Sequence, residues 1–429
     1  MADQESEAAG NVHQESGAAR TGDVAATLDR AMVEGRLRIV AGLIRLTGEW
    51  ELAEDCVQDA AIRALDSWPR DGIPDKPLAW LTTTAHRRAV DVLRRRRTER
   101  EKLVVLQRMS ERDPTEMNSG DDRLALLFTC CHPALPLAGR VALTLKTVSG
   151  LSTREVARAF LVSEATMGQR LLRTRNKIAH AGISLQVPAP HRMAERTAGV
   201  LAVIYLLFNE GYSATDGDGV RDDLAVEALT LSSLLAALLP DDDEVHGLRA
   251  LLLLQQARRA ARVDAVGDLI PMDEQDRSCW NQREIANGIS SLLTSRRSGR
   301  PAGQYRLQAE IAAVHSTAPT PDETDWGRIV ESYDALLRLQ DSPVIALNRA
   351  VAIGFRDGPE GGLSSMAQVQ ADPRLAGYHL IPAVRADLLR RAGRASEAIE
   401  AYRGALEQAR TTAERRFLHR RLRELGGPA

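Results

Sequence analysis

Residues 152–178 read STREVARAFLVSEATMGQRLLRTRNKI, a pattern that predicts two consecutive short helices. Ser152 and Glu155 have the spacing of a capping box, which predicts that a helix begins there. Ser163 is a favourable N-cap for a second helix. The inner faces are apolar at helical spacing, at Val156, Ala157, Phe160, Met167 and Leu171. We therefore predict a helix-turn-helix with Leu161 and Val162 in the turn.

The outward face of the second helix carries side chains that can contact DNA. Arginine can read guanine and glutamine can read adenine in the major groove, while an arginine cluster neutralises phosphates. The candidates are Glu164, Thr166, Gly168, Gln169, Arg170 and Arg173, followed by the basic run 173–177 with Arg175 and Lys177. An ordinary helical hairpin is the alternative, and Leu161 favours it because many such turns carry glycine. The spacing and the basic run favour DNA binding.

An acidic helix and a basic helix are predicted upstream. Residues 51–66, ELAEDCVQDAAIRALD, have one apolar stripe at helical spacing. Polar side chains occupy the other faces, at Glu54, Asp55, Gln58 and Asp59. A second helix starts near Pro77, after a Pro- and Gly-rich loop. Between Thr84 and Lys102 the sequence contains eight Lys or Arg and only three acidic residues. Such a helix suits the phosphate backbone of DNA, and a solvated basic face is the alternative.

The composition predicts an all-α protein with more than one domain. The chain has 429 residues, which suggests two or three domains. Alanine, leucine and arginine dominate, and only 4% of the residues are aromatic, which favours helices. The formal net charge is −2, so a nucleic-acid function must come from local basic patches.

Loop-forming stretches divide the chain into segments. We expect a disordered tail over residues 1–22, because Glu, Gln, Ser, Gly and Ala dominate it. Turn-forming residues mark a linker at 98–122 and a shorter one near Pro188 and Pro190. The helical segments are 23–97, 123–185 and a C-terminal extension at 191–425.

No segment predicts export, membrane insertion or metal binding. The N-terminus lacks the apolar core of a signal peptide, and the longest apolar run, Ala198–Phe208, is too short to span a bilayer. We expect a cytoplasmic protein whose four cysteines are reduced. Cys130, Cys131 and His132 are adjacent, but no second Cys/His pair lies at zinc spacing, so we predict no metal site.

In this order, the two blocks resemble regions 2 and 4 of the sigma-70 family. The stretches are LTGEWELAEDCVQDAAIRAL with PLAWLTTTAHRRAVDVLRRRR, and LPLAGRVALTLKTVSGLSTREVARAFLVSEATMGQRLLRTRNKI. Only a short linker joins them, as is typical of extracytoplasmic-function (ECF) sigma factors. FTCCHPAL, YLLFNEGYSAT and SPVIALNRAVAI resemble the subgroup with a tetratricopeptide-like C-terminal extension. The resemblance covers about residues 24–425.

The resemblance implies three functional surfaces. The residues that it implies for contact with the polymerase β′ clamp helices are Glu54, Asp55, Gln58, Asp59 and Arg63. Reading of the −10 element falls to Lys76, Trp80, Arg87, Arg88, Asp91, Arg94 and Arg95. Reading of the −35 element falls to Thr166, Gln169, Arg170, Arg173, Arg175 and Lys177. The implied partners are core RNA polymerase, through the β′ clamp helices and the β flap, and promoter DNA. No cofactor is implied, and the linker 98–122 would follow the RNA-exit path.

Trp80 has two interpretations. Its ring can stack on a base that leaves the DNA duplex. Alternatively, Trp80 is a core residue. The same interpretation applies to Trp68, which lies on the other side of the same loop.

The C-terminal extension shows a partial repeat pattern. Small and large residues alternate at Ala386, Leu389, Ala398, Tyr402 and Ala405, with Gly393 at the turn between two helices. A non-repeating helical bundle is the alternative. Asn209, Glu210 and Gly211 predict a helix end, or else Asn209, Glu210 and Tyr212 form a regulatory contact with the sigma regions. We expect the extension to control polymerase engagement and to bind a protein partner in a tetratricopeptide-like groove.

Two other classes of function compete with a sigma factor. A helix-turn-helix regulator with a helical sensor domain would bind duplex DNA without replacing sigma, but it does not need the block at 51–97. An enzyme is not predicted, because no nucleophile elbow or phosphate loop is present in the sequence.

Overall fold

The computed structural model describes residues 2–96, 120–160, 162–213, 219–264, 268–375, 378, 380–409 and 412–426. Side chains are described from residue 23 onward, apart from those of 96, 120–122, 213 and 219–223. Over these residues the chain forms helices and turns, without a strand, and one isolated bridge joins Val263 to Leu269. The all-α prediction is confirmed. Two compact units are present, residues 1–203 and 204–429, and their division falls inside one helix.

The first unit contains eight helices or parts of them in the described residues. They are α1 (Ala2–Thr47), α2 (Trp50–Asp71), α3 (Pro77–Arg96), α4 (Gly120–Cys130), α5 (Leu137–Leu143), α6 (Thr153–Ala159), α7 (Glu164–His180) and the first part of α8 (Pro190–Ser213). A π-helical turn, Thr144–Val148, comes directly after α5.

Helix α1 changes the expectation for the N-terminus. It begins at Ala2, where we predicted a disordered tail over residues 1–22. The Ala, Glu and Gln residues that suggested disorder are also good helix formers, which explains a helical backbone there. The side chains of residues 1–22 lie outside the described residues. Of the predicted linker at 98–122, only 120–122 is described, as the start of α4.

The first three helices pack through the apolar stripes that the sequence predicts. On α2 the buried stripe is Ala53, Val57, Ala60 and Ala64, and on α3 it includes Leu81, Ala85 and Ala89. Helices α1 and α3 approach closely at Gly35, where an added Cβ would lie 1.8 Å from Leu78 Cδ1. Gly35 therefore lets Leu78 pack against the backbone of α1.

The predicted helix-turn-helix consists of α6 and α7. Glu155 N–H donates to Ser152 Oγ at 3.2 Å, and Ser152 N–H donates to Glu155 Oε2 at 2.7 Å, which completes the capping box. At the start of α7, Thr166 N–H donates to Ser163 Oγ at 3.2 Å. Val156, Ala157, Met167 and Leu171 are buried between the two helices and their neighbours. Leu161, in the turn, lies outside the described residues.

The second unit is a succession of helices in which neighbours along the chain pack together. After the end of α8 they are α9 (Gly219–Leu238), α10 (Asp243–Ala257), α11 (Gln282–Ser295), α12 (Gln304–Thr317), α13 (Trp326–Leu339), α14 (Pro343–Arg356), α15 (Pro359–Gln370), α16 (Leu380–Arg391), α17 (Ala395–Gln408) and α18 (Thr412–Glu424). Between α16 and α17, Gly393 has φ 74°, which favours glycine. One core cluster contains the predicted small and large residues, Ala386, Leu389, Ala398, Tyr402 and Ala405.

Candidate nucleic-acid and polymerase interfaces

The outward face of α7 carries a stripe of polar and basic side chains. Thr166, Gln169, Arg173 and Lys177 are all exposed, and their spacing of three, four and four residues keeps them on one side of the helix. The stripe covers about 16 Å at about 1.5 Å per residue. A helix with this face can enter a major groove and present both base-reading and phosphate-binding groups.

Arg170 lies at the edge of this stripe. It is half-buried, and its guanidinium carbon lies 5.1 Å from the centre of the Phe160 ring. The contact joins the end of α6 to the first turns of α7. Phe160 therefore restricts the guanidinium of Arg170 to the side of α7 where the two helices meet.

Arg175 is on the opposite side of α7 from Arg173. Its side chain is only 10% exposed, and Nη1 donates to Glu51 Oε1 at 3.0 Å. Nη2 contacts both carboxylate oxygens of Glu54 at 3.3 Å. Two residues along a helix turn by about 200°, so a side chain at 175 cannot share the face of 173. In this structure Arg175 therefore lies away from the exposed stripe, and its assignment to the −35 element stays a prediction.

Glu54 receives cations and hydrogen bonds from two other elements, the π-helical turn and α7. Its side chain is 7% exposed, and Lys146 Nζ lies 3.5 Å from Oε2. The Thr147 hydroxyl contacts Glu54 Oε1 at 3.1 Å, and Arg36 Nη1 donates to the Thr147 carbonyl at 3.1 Å. The carboxylate therefore joins α2 to the π-helical turn and to α7. These partners bury Glu54 in this structure, unlike the exposed residues of α2, and its contact with polymerase stays a prediction.

The rest of α2 does present an exposed face. Asp55, Gln58 and Arg63 are exposed, as the sequence predicted. Two large apolar side chains lie among them, Ile62 with 63% exposure and Leu65 with 49%. Both are off the buried stripe of α2, and that is the sequence signal that would have found them. The face is thus mixed apolar and polar, which is the composition of a protein-binding surface.

Asp59 and Arg88 contact each other. Arg88 Nε lies 2.7 Å from Asp59 Oδ2, and both side chains are partly exposed. This ion pair links α2 to α3. The two residues, which we predicted for polymerase and for −10 binding respectively, therefore also hold the two helices together.

The candidate −10 residues lie along one side of α3 and the loop before it. Lys76, Arg87, Asp91, Arg94 and Arg95 are exposed. Trp68 is buried in the core, and Trp80 contacts it edge-on with ring centres 5.6 Å apart. Trp80 is half-buried, so part of its ring remains at the surface beside the basic side chains.

Helix α8 continues past the predicted helix end at Gly211 and finishes at Ser213. Arg262 explains this, because Nη1 donates to the Tyr212 carbonyl at 2.5 Å and the guanidinium lies 3.8 Å from the centre of the Tyr212 ring. Arginine near the last carbonyls stabilises a helix C-terminus. Tyr212 also stacks on Phe208. Glu210 is exposed and Asn209 half-exposed, and their regulatory contact stays a prediction.

Three of the four cysteines, Cys56, Cys130 and Cys131, are buried, and Cys279 is exposed. Burial raises the pKa of Cys131 to about 11, and it raises the pKa of Cys130 well above its ordinary value. Among the residues whose side chains are described, no group of three or more His, Cys, Asp or Glu could hold a metal ion. No helix in the described part of the chain has the length and apolar character needed to cross a membrane.

A helix-turn-helix with an exposed basic stripe defines a DNA-binding protein, and comparison with known families identifies its kind. Residues 32–99 match sigma-70 region 2, and residues 125–178 match sigma-70 region 4. The chain belongs to the sigma-70 family, and the resemblance to ECF sigma factors with a C-terminal extension is confirmed. Residues 196–296 match a family of unknown function, DUF6596. Sigma-70 regions imply core RNA polymerase and promoter DNA as partners.

One relative extends over almost the whole chain. An uncharacterized protein of Rhizobium meliloti (strain 1021) is 42% identical over 408 residues, which is 93% of this chain and 96% of the relative. The similarity therefore covers both sigma regions of this chain and its extension. No solved structure matches the chain.

Proposed function

We propose that this protein is an ECF-type sigma factor that binds core RNA polymerase, recognises the −35 and −10 promoter elements and initiates transcription. The observation that carries the proposal is the presence of two sigma-70 regions, each with an exposed basic face, in one chain. A regulator that only binds duplex DNA would need the helix-turn-helix and no region 2.

For the −35 element, Gln169 and Arg173 are the proposed base-reading residues, since both are exposed at the middle of the α7 stripe. Thr166 and Lys177 lie at its two ends and suit phosphate contacts. Arg170 contacts the −35 element from the edge of the stripe, and its guanidinium is oriented by the Phe160 ring.

For the −10 element, the proposed surface is the outer side of α3. Trp80 offers a partly exposed ring that is supported from behind by Trp68, so a base that leaves the stack can lie against a fixed aromatic face. Lys76, Arg87, Arg94 and Arg95 surround this side with positive charge for the phosphates. Arg88 supports the helix from its pair with Asp59.

For core polymerase, the proposed contact is the exposed face of α2 with Asp55, Gln58, Ile62, Arg63 and Leu65. Ile62 and Leu65 offer apolar surface that the partner can bury, and the charges of Asp55 and Arg63 orient the partner. Glu54 is buried in this structure and is therefore left out of the exposed face.

Promoter binding also requires region 4 to leave region 2. By their names the two promoter elements are about 25 base pairs apart, or about 85 Å at about 3.4 Å per base pair. Helix α2 has 22 residues and is about 33 Å long. Because Arg175 of α7 contacts Glu54 on α2, the two regions cannot reach both elements from this arrangement. We therefore assign the Glu54–Arg175 contact to the chain before it binds a promoter.

The test is transcription with purified full-length protein and sigma-free core polymerase on templates with randomised −35 and −10 elements. Enrichment of a defined pair of elements supports the proposal. Gln169→Ala with Arg173→Ala should remove the −35 preference, while Arg283→Ala, an exposed arginine of α11, should leave it. Tight duplex binding without polymerase, and no initiation with it, would favour the helix-turn-helix regulator instead.

We also propose that the C-terminal extension controls polymerase engagement. The structure suggests where to truncate, because Arg196 of α8 donates to the Phe128 carbonyl of α4 at 2.6 Å. A chain that ends at Ser213 keeps α8 and lacks the helices from α9 onward. Equal transcription by this chain and the full-length protein, at equal thermal stability of the first unit, would contradict such control.

A further inference from the structure

The second unit contains a long groove that none of the proposed surfaces uses. It consists of a cavity of about 690 Å³ and an adjoining cavity of about 280 Å³. Met272, His315, Tyr333 and Asn348 line both cavities, so the two are continuous. The larger cavity is the one with room for several residues of a bound polypeptide.

Amide side chains line the larger cavity on four different helices. They are Gln255 on α10, Gln304 and Gln308 on α12, Gln340 at the end of α13 and Asn348 on α14. Gln308 Oε1 accepts from the Tyr205 hydroxyl at 3.1 Å, and Gln255 Oε1 accepts from Arg258 at 3.0 Å. Among the described residues, the side chains of Gln304, Gln340 and Asn348 have no hydrogen-bond partner within the protein. The groove therefore presents unused donors and acceptors.

This arrangement matches the backbone of an extended peptide. Each amide side chain offers both a donor and an acceptor, as a peptide unit does. Packed helices are about 8–10 Å apart, and an extended chain advances about 3.3 Å per residue. An extended peptide that runs across the helices therefore reaches the next helix about every three residues. Amides on successive helices can thus each pair with a different peptide unit of one bound segment.

The charge of the larger cavity is positive. No Asp or Glu is among its described lining residues, whereas Arg258 is. Arg277, which lines the adjoining cavity, donates to the carbonyls of His315 and Ala318 and to Thr324 Oγ1. Arg258 is different, because its hydrogen bond within the described residues goes to Gln255 and it has no carboxylate within ion-pair distance there.

His315, which also lines the larger cavity, leaves this charge assignment to Arg258. Burial, together with the charges of Arg258 and Arg277, lowers the pKa of His315 to about 4. The imidazole is therefore neutral at physiological pH and does not add to the charge. Among the described lining residues, acids occur only in the smaller cavity, at Asp273 and Asp387. A carboxylate on the bound segment would consequently lie in the larger cavity, near Arg258.

We propose that this groove binds an extended acidic segment of a partner protein, with the amide side chains pairing to its main chain and Arg258 to a carboxylate. The inference goes beyond the proposed sigma-factor function, since such binding needs neither polymerase nor promoter. A failure here therefore leaves that function untouched.

The test is binding of the full-length protein to arrayed ten-residue peptide libraries that carry one fixed Glu, one fixed Lys or one fixed Ala. We expect the Glu libraries to be retained at least tenfold better than the Lys libraries. Arg258→Gln should abolish this preference, and Asn348→Ala with Gln340→Ala should weaken retention of all libraries. Arg283→Ala, on the exposed face of α11, should change neither.

Three outcomes would overturn the proposal. One is equal retention of all libraries, and another is unchanged retention in the Asn348→Ala, Gln340→Ala protein, whose substituted side chains are exposed and contribute little to folding. The third is tight binding of inorganic phosphate or free glutamate alone, with full displacement of the peptides, because that would identify a site for a small anion. Amidated peptides with an internal Glu would separate a side-chain carboxylate from a C-terminal one.

Discussion

Arg173 and Arg175 are two residues apart on the same helix and have opposite environments. Arg173 is exposed on the outward stripe of α7, whereas Arg175 is 10% exposed and bound to Glu51 and Glu54 of α2. Glu54 and Asp55 differ in the same way, since the first is buried among cations and the second is exposed. The inner pair, Glu54 with Arg175, thus holds region 2 to region 4. Asp55 and Arg173 are both exposed, and we propose them for contacts with polymerase and promoter DNA respectively.

The largest expected effect comes from removing the inner acid. Glu54→Ala leaves Arg175 and Lys146 without their buried carboxylate, and breaking such a pair costs about 3–5 kcal/mol. Urea unfolding of the full-length protein measures the change in the first unit. Asp55→Ala is the matched control, with an expected change within about 0.5 kcal/mol. Equal effects of the two substitutions would show that the inner and outer acids do not differ.

The tryptophans of region 2 extend the same comparison. Trp68→Ala empties a buried site and should lower the free energy of unfolding by about 3–5 kcal/mol. Trp80→Ala should cost less stability, because its ring is half-exposed, but it should reduce promoter melting. Fluorescence of 2-aminopurine in the −10 element reports melting, and thermal unfolding reports stability. Normal melting by the Trp80→Ala holoenzyme would assign Trp80 to the core alone.

The two arginines of α7 give the next effect in size. Arg173→Ala should lower specific transcription about 5- to 150-fold, which corresponds to about 1–3 kcal/mol for the loss of one base contact. Arg175→Ala should keep the promoter preference, since its side chain lies on the opposite side of α7 from Arg173. Single-round transcription on the selected promoter measures both. A loss of −35 preference in the Arg175→Ala protein would return this residue to the DNA-binding face.

Local patterns in the sequence were sufficient to predict much of this arrangement. The Ser152–Glu155 spacing predicted the capping box, and the alanine stripe of α2 predicted its buried face. Both depend on residues close together on one helix. The outward stripe of α7 is predictable for the same reason. Arg175 is the exception: the basic run 173–177 suggests a DNA contact, but helix geometry places its side chain on the other side of α7.

Long-range partners explain what the sequence did not predict. Glu54 looked like part of a polar face because its partners, Thr147 and Arg175, lie 93 and 121 residues further along the chain. Gly211 looked like a helix end because Arg262, which contacts the carbonyl of Tyr212, lies 50 residues beyond that tyrosine. Charged residues whose partners come from another helix cannot be assigned to a surface by periodicity alone.

The smallest expected effect belongs to the capping box itself, which separates the fold of the helix-turn-helix from its surface chemistry. Hydrogen bonds from Ser152 lower the pKa of Glu155 below its ordinary value of 4.5. The stabilisation is therefore fully present above pH 4.5 and is lost as the pH falls through the lower pKa of the folded protein. Ser152→Ala should cost about 1 kcal/mol at pH 7 and less at acidic pH, because the carboxylate is then protonated in both proteins. Thermal unfolding from about pH 3 to pH 7 measures the difference, with Thr153→Ala as the control at the adjacent position. A difference between Ser152→Ala and the parent protein that stays constant over this range would mean that Glu155 does not contribute through its charge.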